Sequence, residues 1–384
     1  MEYHYSTVVG PATYETEGLC DGVPLRLHLS QEPEDLGAIR AQEDWRRLVA
    51  PVGFKRGSLG PEYNFLSVAF PETIPDRMEI LAYFDEFIFL HDDVVEAVDQ
   101  AEGDQQNDEA REACRFEKTT RDTGRRTMVS RVAQKMLSMD PGPAATTLAL
   151  WTEWFDKGAG RQNHTQFDTL DGYLTGVAIF AMGLNIPDHE HELRSQLCRP
   201  AWVALGLTND LYSLDKETEA AKAMGEAHVC NAVWVMMREH NLDEDMARKL
   251  CREKIKESVA EYVEIVKKTA QRTDISRDLG IFVEAIQYIL SGNLVWTRGA
   301  PRYHPAATYN TRQLEWMATG APKSAEEANS RKVGVAGTLY STLQSVAFGV
   351  FGMVQGFLRR ARLHTTPANI AADGILETSK TTVQ

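Results

Sequence analysis

The chain has 384 residues, 43% of them hydrophobic and 25% charged, the composition of a folded globular protein and not of a fibre or a disordered chain. Its length allows one large domain or two medium ones, with a core that needs no disulfide or metal to close it. Against 55 acidic residues stand 41 basic ones, a net charge of −14; such a surface repels a phosphate backbone and argues against a nucleic-acid partner.

Residues 1–35 read as irregular, punctuated by Gly, Pro and acids. The opening run MEYHYSTVVGPATYE has no basic start followed by an apolar stretch, so no signal peptide is visible. Cysteines fall at Cys20, Cys114, Cys198, Cys230 and Cys251, an odd count without a C-x-x-C pair. That pattern predicts reduced thiols and a cytoplasmic protein, not a disulfide framework or a zinc site.

From about 36 to 320 apolar residues recur three and four apart almost throughout, as in MEILAYFDEFIFLHDDVVEAV, and no long stretch alternates with period two. The expected fold is all-α, ten or more helices around one core. Loops are expected at 71–76, 100–108, 138–143 and 185–189, where Pro, Gly and polar residues cluster. Beyond about 325 the chain turns small, polar and Gly-rich, so a domain over 1–325 and a linker-like tail over 326–384 are expected. Within that tail 333–358 carries no charge and is flanked by Arg331 and Lys332 on one side and Arg359 and Arg360 on the other. Its length would span a bilayer. Five glycines and six Ser, Thr or Gln residues lower its hydrophobicity, and a docked helix or loose tail fits better, with membrane contact the secondary reading.

Two stretches carry chemistry. In FDEFIFLHDDVVEAVD, helical periodicity places Asp85, Ile88, Phe89, Asp92, Glu96 and Asp99 on roughly one face. Acids gathered toward a helix C-terminus repel one another and the negative end of the helix dipole. A cation removes that cost, and hard ions such as Mg²⁺ take carboxylate oxygens, keep waters and accept substrate phosphate. Alone, the run is equally a solvated acidic helix end. In NDLYSLDKE, Asn209, Ser213 and Glu217 are spaced i, i+4, i+8 and share a helix stripe, with Lys216 beside it within reach of a phosphate. An amide, a hydroxyl and one carboxylate make a weakly charged oxygen site, suited to a metal that must also release a product. The two stretches together favour a metal site over two polar helix faces.

HDDVVE, NDLYSLDKE and the later PRYH, with HTQFDTLDGYL, AMGLNIP and LVWTRGAPRYH, resemble the class I terpene cyclases. The likeness is to the cyclase domain of fungal chimeric prenyltransferase–terpene synthases, which make di- and sesterterpenes, and it covers roughly residues 1–325. The resemblance implies a class I terpenoid synthase α-helical bundle around a central apolar pocket. It implies Mg²⁺-dependent ionisation of a linear isoprenoid diphosphate, geranylgeranyl or geranylfarnesyl. Three Mg²⁺ ions would be bridged by Asp92 on one side and Asn209, Ser213 and Glu217 on the other, with Asp93 and Glu96 further out or as occasional ligands. Arg302 and Tyr303 would hydrogen-bond the diphosphate. Metals and an Arg lower the barrier by stabilising the leaving group; the carbocation left behind must be kept dry by apolar and aromatic walls. Phe65, Phe89 and Trp296 are candidates for the wall, or ordinary core aromatics.

Two departures stand out. The family carries an Arg that senses the diphosphate a little under fifty residues before the second motif, in a segment reading Tyr-Leu-x-Tyr-Arg-x-x-Asp-Val-Gly. Here Tyr173-Leu174 runs directly into TGVAIFAMGLNIP, short by about 14 residues or four helical turns. Arg161 is a poor substitute, since it belongs to the preceding helix pattern. Impaired turnover is the expectation, with a non-catalytic, cyclase-derived binding protein as the alternative. The second departure is the lack of paired D-D-x-x-D motifs after residue 303, which implies no prenyltransferase domain in this sequence and an external prenyltransferase as the substrate source. A chain-elongating isoprenyl diphosphate synthase would need a second D-D-x-x-D, and NDLYSLDKE is not one.

Overall fold

Where an Asp, Asn, Ser or Thr precedes an apolar-periodic run, its side chain caps a helix. Ser276 accepts from the Leu279 N–H and opens α11 (Arg277–Gly299). Asp243 opens α10 (Glu244–Thr269), Asn231 opens α9 (Ala232–Glu239), and Thr123 opens α5 (Gly124–Met139) in the same way. Each such cap contributes about 1 kcal/mol and sets where the helix begins. The computed structural model describes residues 1–51, 57–95, 98–117, 123–159, 166–225, 227–304 and 306–319. All of these fall in one compact unit, Met1–Ala336. The expected tail over 326–384, the uncharged stretch 333–358, Glu96 and Arg161 lie outside the described residues.

The other helices are α1 (Glu32–Leu48), α2 (Phe65–Ala69), α3 (Pro75–Val95), α4 (Gln100–Cys114), α6 (Pro141–Ala159), α7 (Gln166–Met182), α8 (His191–Met224) and α12 (Thr311–Thr319). The all-α expectation holds, with three corrections. A small antiparallel hairpin, β1 (Ser6–Val8) with β2 (Arg26–His28), pairs Thr7 opposite Leu27 within the supposedly irregular N-terminus. Residues 100–108 are helical, not a loop, because Asp99 caps α4 through the Glu102 N–H. For the same reason Asp99 does not continue the acidic face of α3, which ends at Val95.

α3 is buried along most of its length, as a helix in the centre of a core is. Met78, Leu81, Phe84, Phe87 and Leu90 are all buried. α1 packs along α3, α6 along α7, α10 along α8, and α11 against both α8 and α2. α11 is long and apolar enough by composition to cross a membrane; here Phe282, Ile286, Ile289 and Leu294 are buried in the core. α8 continues through Pro200 and ends at Gly225, whose φ of +73° is the left-handed turn that favours glycine at a helix C-terminus.

Gly292 sets the approach of α11 to α2. A Cβ there would lie 2.2 Å from the Val68 carbonyl oxygen, a backbone atom that cannot swing away. Gly292→Ala is therefore expected to destabilise the fold by about 1–3 kcal/mol, the usual cost of overpacking. Thermal unfolding measures it; an unchanged melting temperature would mean the two helices part freely.

Candidate active site

The acidic end of α3, the middle of α8 and the turn after α11 meet in one constellation. Ala300 caps α11 and Pro301 cannot continue it. The Tyr303 and His304 N–H groups then donate back to the Ala300 carbonyl, turning Arg302 and Tyr303 inward. Arg302 is 5% exposed, and its fork reaches Asp92 Oδ2 at 3.2 Å and Asp93 Oδ1 at 3.0 Å. Lys216 donates to the same Asp93 oxygen at 3.0 Å. Asp92 itself is half-exposed, and the field at its carboxylate comes from two cations, Arg302 and Lys216, and two anions, Asp93 and Glu217.

On α8 the stripe predicted from spacing holds. Ser213 Oγ lies 3.5 Å from Asn209 Oδ1, and Asn209 Nδ2 donates to the Tyr303 hydroxyl at 3.0 Å. Glu217 accepts from Asn231 Nδ2 at 2.9 Å. Asn231, the cap of α9, also donates to the Asp210 carbonyl at 2.8 Å and so anchors Glu217 to the α8 backbone. Asp92, Asp93, Asn209, Ser213, Lys216, Arg302 and Tyr303 are thus brought together, with Glu217 at the edge. Glu96 lies outside the described residues.

The donor set fits a hard divalent cation: carboxylate, amide and hydroxyl oxygens without sulfur or imidazole. No three His, Cys, Asp or Glu side chains form a ligand cluster among the described residues. The oxygens are instead mixed types on facing helices, and Arg302 and Lys216 supply the positive charge that Asp92 and Asp93 require.

Beneath Arg302 lies an aromatic cluster. The guanidinium sits 4.8 Å above the Phe89 ring centroid. Phe65 packs 5.0 Å from Trp296 and 6.0 Å from Phe89, and Trp296 lies 5.6 Å from Tyr303. The Trp296 orientation is imposed from behind: its indole N–H donates to the Ser58 carbonyl at 2.8 Å, and Ser58 N and Oγ both donate to buried Glu86 at 2.7 Å. Burial raises the Glu86 carboxyl, while Ser58 and Gln42 counter it. Sequence reading missed Ser58, Glu86 and Asn231. Only Asn231 had a local signal, a capping residue just before the apolar run AVWVMM.

The segment expected to be short, Leu174 to Ala181, forms continuous helix. α7 runs unbroken through Tyr173, Gly176 and Ala181, and from Leu170 to Met182 it contains no Arg or Lys. It lies antiparallel to α3: Arg77 donates to the Phe180 carbonyl at 2.6 Å, and eight residues further up α3 Asp85 accepts from the Tyr173 hydroxyl at 2.7 Å. Asp85 lies two turns before Asp92 on the same face, 2% exposed. Burial pushes its carboxyl up to about 7, with Glu86 adding and the Tyr173 hydrogen bond opposing.

Residues 83–261 match the family model described as terpene synthase family 2, C-terminal metal binding. A bifunctional type I diterpene synthase of Aspergillus flavipes is 44% identical over 346 residues, covering 86% of this chain and 45% of that protein. Fusicoccadiene synthase of Phomopsis amygdali is 42% identical, covering 84% of this chain and 48% of that protein. The chain is similar in sequence to these fungal terpene synthases. It spans about half the length of these curated relatives. The 346-position match occupies only 86% of this 384-residue chain, so the Aspergillus flavipes relative carries residues that this chain lacks. Aristolochene synthase from Penicillium roqueforti shares the fold, with a TM-score of 0.57 at 20% identity over 70% of this chain and 94% of that one. A cucumene synthase variant gives 0.59 at 15% identity, over 74% of this chain and 99% of that one. The expected class I terpenoid synthase bundle is therefore the fold of this chain.

The raised Asp85 carboxyl makes a stability prediction. A carboxyl raised in the folded state holds a proton that the unfolded chain has lost, so its contribution is full below the usual Asp value near 4 and is lost as pH rises through about 7. Asp85→Asn should gain stability over the parent between pH 4 and pH 8, on the order of a few kcal/mol. Melting curves across that range test it, and a pH-independent difference would mean that Asp85 ionises normally.

Proposed function

We propose that this chain is a class I terpene cyclase that ionises a linear isoprenoid diphosphate and cyclises the resulting carbocation. The observation that carries this reading is the Arg302 fork between Asp92 and Asp93, facing Asn209 and Tyr303 across the same mouth and lying on the Phe89 ring. Asp92 would hold Mg²⁺ on one side and Asn209, Ser213 and Glu217 on the other, three ions in all, with Asp93 an occasional ligand. The bound metal supplies Lewis-acid stabilisation of the departing diphosphate. Arg302, Lys216 and Tyr303 bind diphosphate oxygens and hold the substrate head against Asp92. Released from Arg302, the carboxylates of Asp92 and Asp93 become free to ligate. Phe65, Phe89 and Trp296 then face the carbocation, stabilise it through their ring faces and exclude water.

Residues 1–325 serve as the cyclase domain and 326–384 as a linker in this reading, acting in the cytoplasm. No Arg or Lys lies between Leu170 and Met182, and slowed turnover is the expected outcome. That same absence favours the second reading, a cyclase-derived protein that binds diphosphate without turning it over.

Incubation with Mg²⁺ and C15, C20 and C25 diphosphates, followed by extraction of hydrocarbon, separates the readings. Hydrocarbon from the C20 or C25 substrate is the expected outcome; diphosphate binding without product favours the second reading. Asp92→Ala and Asn209→Ala should each lower diphosphate release at least about 100-fold, with unchanged circular dichroism. Phe89→Ala should alter the product mixture more than total diphosphate release. Full activity in Asp92→Ala, or an identical mixture from Phe89→Ala, would remove the corresponding assignment.

A further inference from the structure

Most buried carboxylates around the aromatic cluster have their oxygens engaged. Glu34 accepts from the Leu66 and Ser67 N–H groups and from the Ser67 hydroxyl. Glu86 accepts from Ser58 and Gln42. Asp85 differs. Its Oδ1 accepts from the Tyr173 hydroxyl at 2.7 Å, while Oδ2 is fully buried without a hydrogen-bond partner among the described residues. Leaving a carboxylate oxygen bare in a core costs at least about 1–3 kcal/mol. A group that meets it only during a reaction would justify that cost.

Position says which group. Asp85 shares the α3 face of Asp92 seven residues earlier, about 10 Å deeper at the helical rise, and Phe89 stands between them on the same face. A diphosphate held at Arg302 and Tyr303 cannot reach a cationic carbon formed that far down the substrate. We propose that Asp85, oriented by Tyr173, is the proton acceptor that ends the cyclisation, an inference resting on the cyclase reading above.

In the step, a C–H bond beside the cationic carbon breaks and its electron pair becomes the π bond of the product alkene. The proton passes to Asp85 Oδ2, leaving the carboxyl neutral, and is lost to water when the product departs. Before transfer, the negative carboxylate is the counter-ion of the cation in a site without water. Tyr173 is a positioning residue: by occupying Oδ1 it presents Oδ2. Burial, which raises this carboxyl, makes it a stronger base than an exposed Asp.

The test compares the parent chain with Asp85→Asn, Asp85→Glu and Tyr173→Phe, each given geranylgeranyl diphosphate and Mg²⁺. Released diphosphate is measured beside the hydrocarbons and alcohols extracted. Asp85→Asn, close to isosteric, should lower the parent's final hydrocarbon per diphosphate released about tenfold or more, in favour of earlier alkenes or water-captured alcohols. Asp85→Glu should restore part of it, and Tyr173→Phe should shift the mixture the same way but less. Difference infrared spectra should show the Asp85 carboxyl band moved by Tyr173→Phe, which a purely structural tyrosine would not do. An Asp85→Asn mixture identical to the parent's overturns the proposal and leaves the cyclase reading standing. An isoprenoid ester found on Asp85 also overturns it, since the residue would then be a nucleophile. A parent chain that releases no diphosphate overturns the cyclase reading, and the proposal with it.

Discussion

The constellation depends on one buried guanidinium. Arg302 is held by the turn after α11, reaches both aspartates of α3 and lies on the Phe89 ring, while Lys216 of α8 shares the Asp93 oxygen. Three elements far apart in sequence are thus tied at one point by charge. A buried ion pair is a weak source of net stability, because desolvation consumes most of the attraction, but removing one partner is costly. Its effect here is positional. It keeps Asp92 and Asp93 at the mouth despite their mutual repulsion. Under the proposed function, phosphate oxygens would compete for the same guanidinium, and substrate binding would release the carboxylates.

Around that clamp the fold supplies support from behind. Glu86 holds Ser58, Ser58 holds the Trp296 indole, and Trp296 packs on Phe65. The approach of α11 that allows this contact depends on the bare Cα of Gly292. On the far side, α6 grips α7 through its backbone. The Trp151 indole donates to the Tyr173 carbonyl at 3.1 Å, and the Thr147 hydroxyl donates to the Gly176 carbonyl at 2.8 Å. Trp151 also stacks on Phe84 of α3 at 3.9 Å between centroids. α7 is thereby locked as a straight helix whose Tyr173 faces Asp85.

Much of the site was legible in the sequence because helical spacing is a local property. Asp85 and Asp92 share a face at seven residues, and Asn209, Ser213 and Glu217 share another at four and eight. The Pro after α11 marks where the chain must turn. Less legible were the caps: 100–108 looked like a loop by composition, yet Asp99 starts a helix there. Glu86, Ser58 and Asn231 were invisible as support, since their roles arise from contacts 28, 238 and 14 residues apart in the chain.

The sequence by itself determined the helical class, the two polar stripes and the absence of a basic residue between Tyr173 and Met182. Each of these follows from residue type and periodicity along one element. Only the tertiary structure decided that Arg302 divides its charge between Asp92 and Asp93, that Trp296 is held by Ser58, and that Asp85 keeps one oxygen bare while Tyr173 holds the other. Those outcomes turn on which helices pack side by side and at what height. Such packing depends on burial and steric fit between segments 88 to 238 residues apart, and no local pattern encodes it.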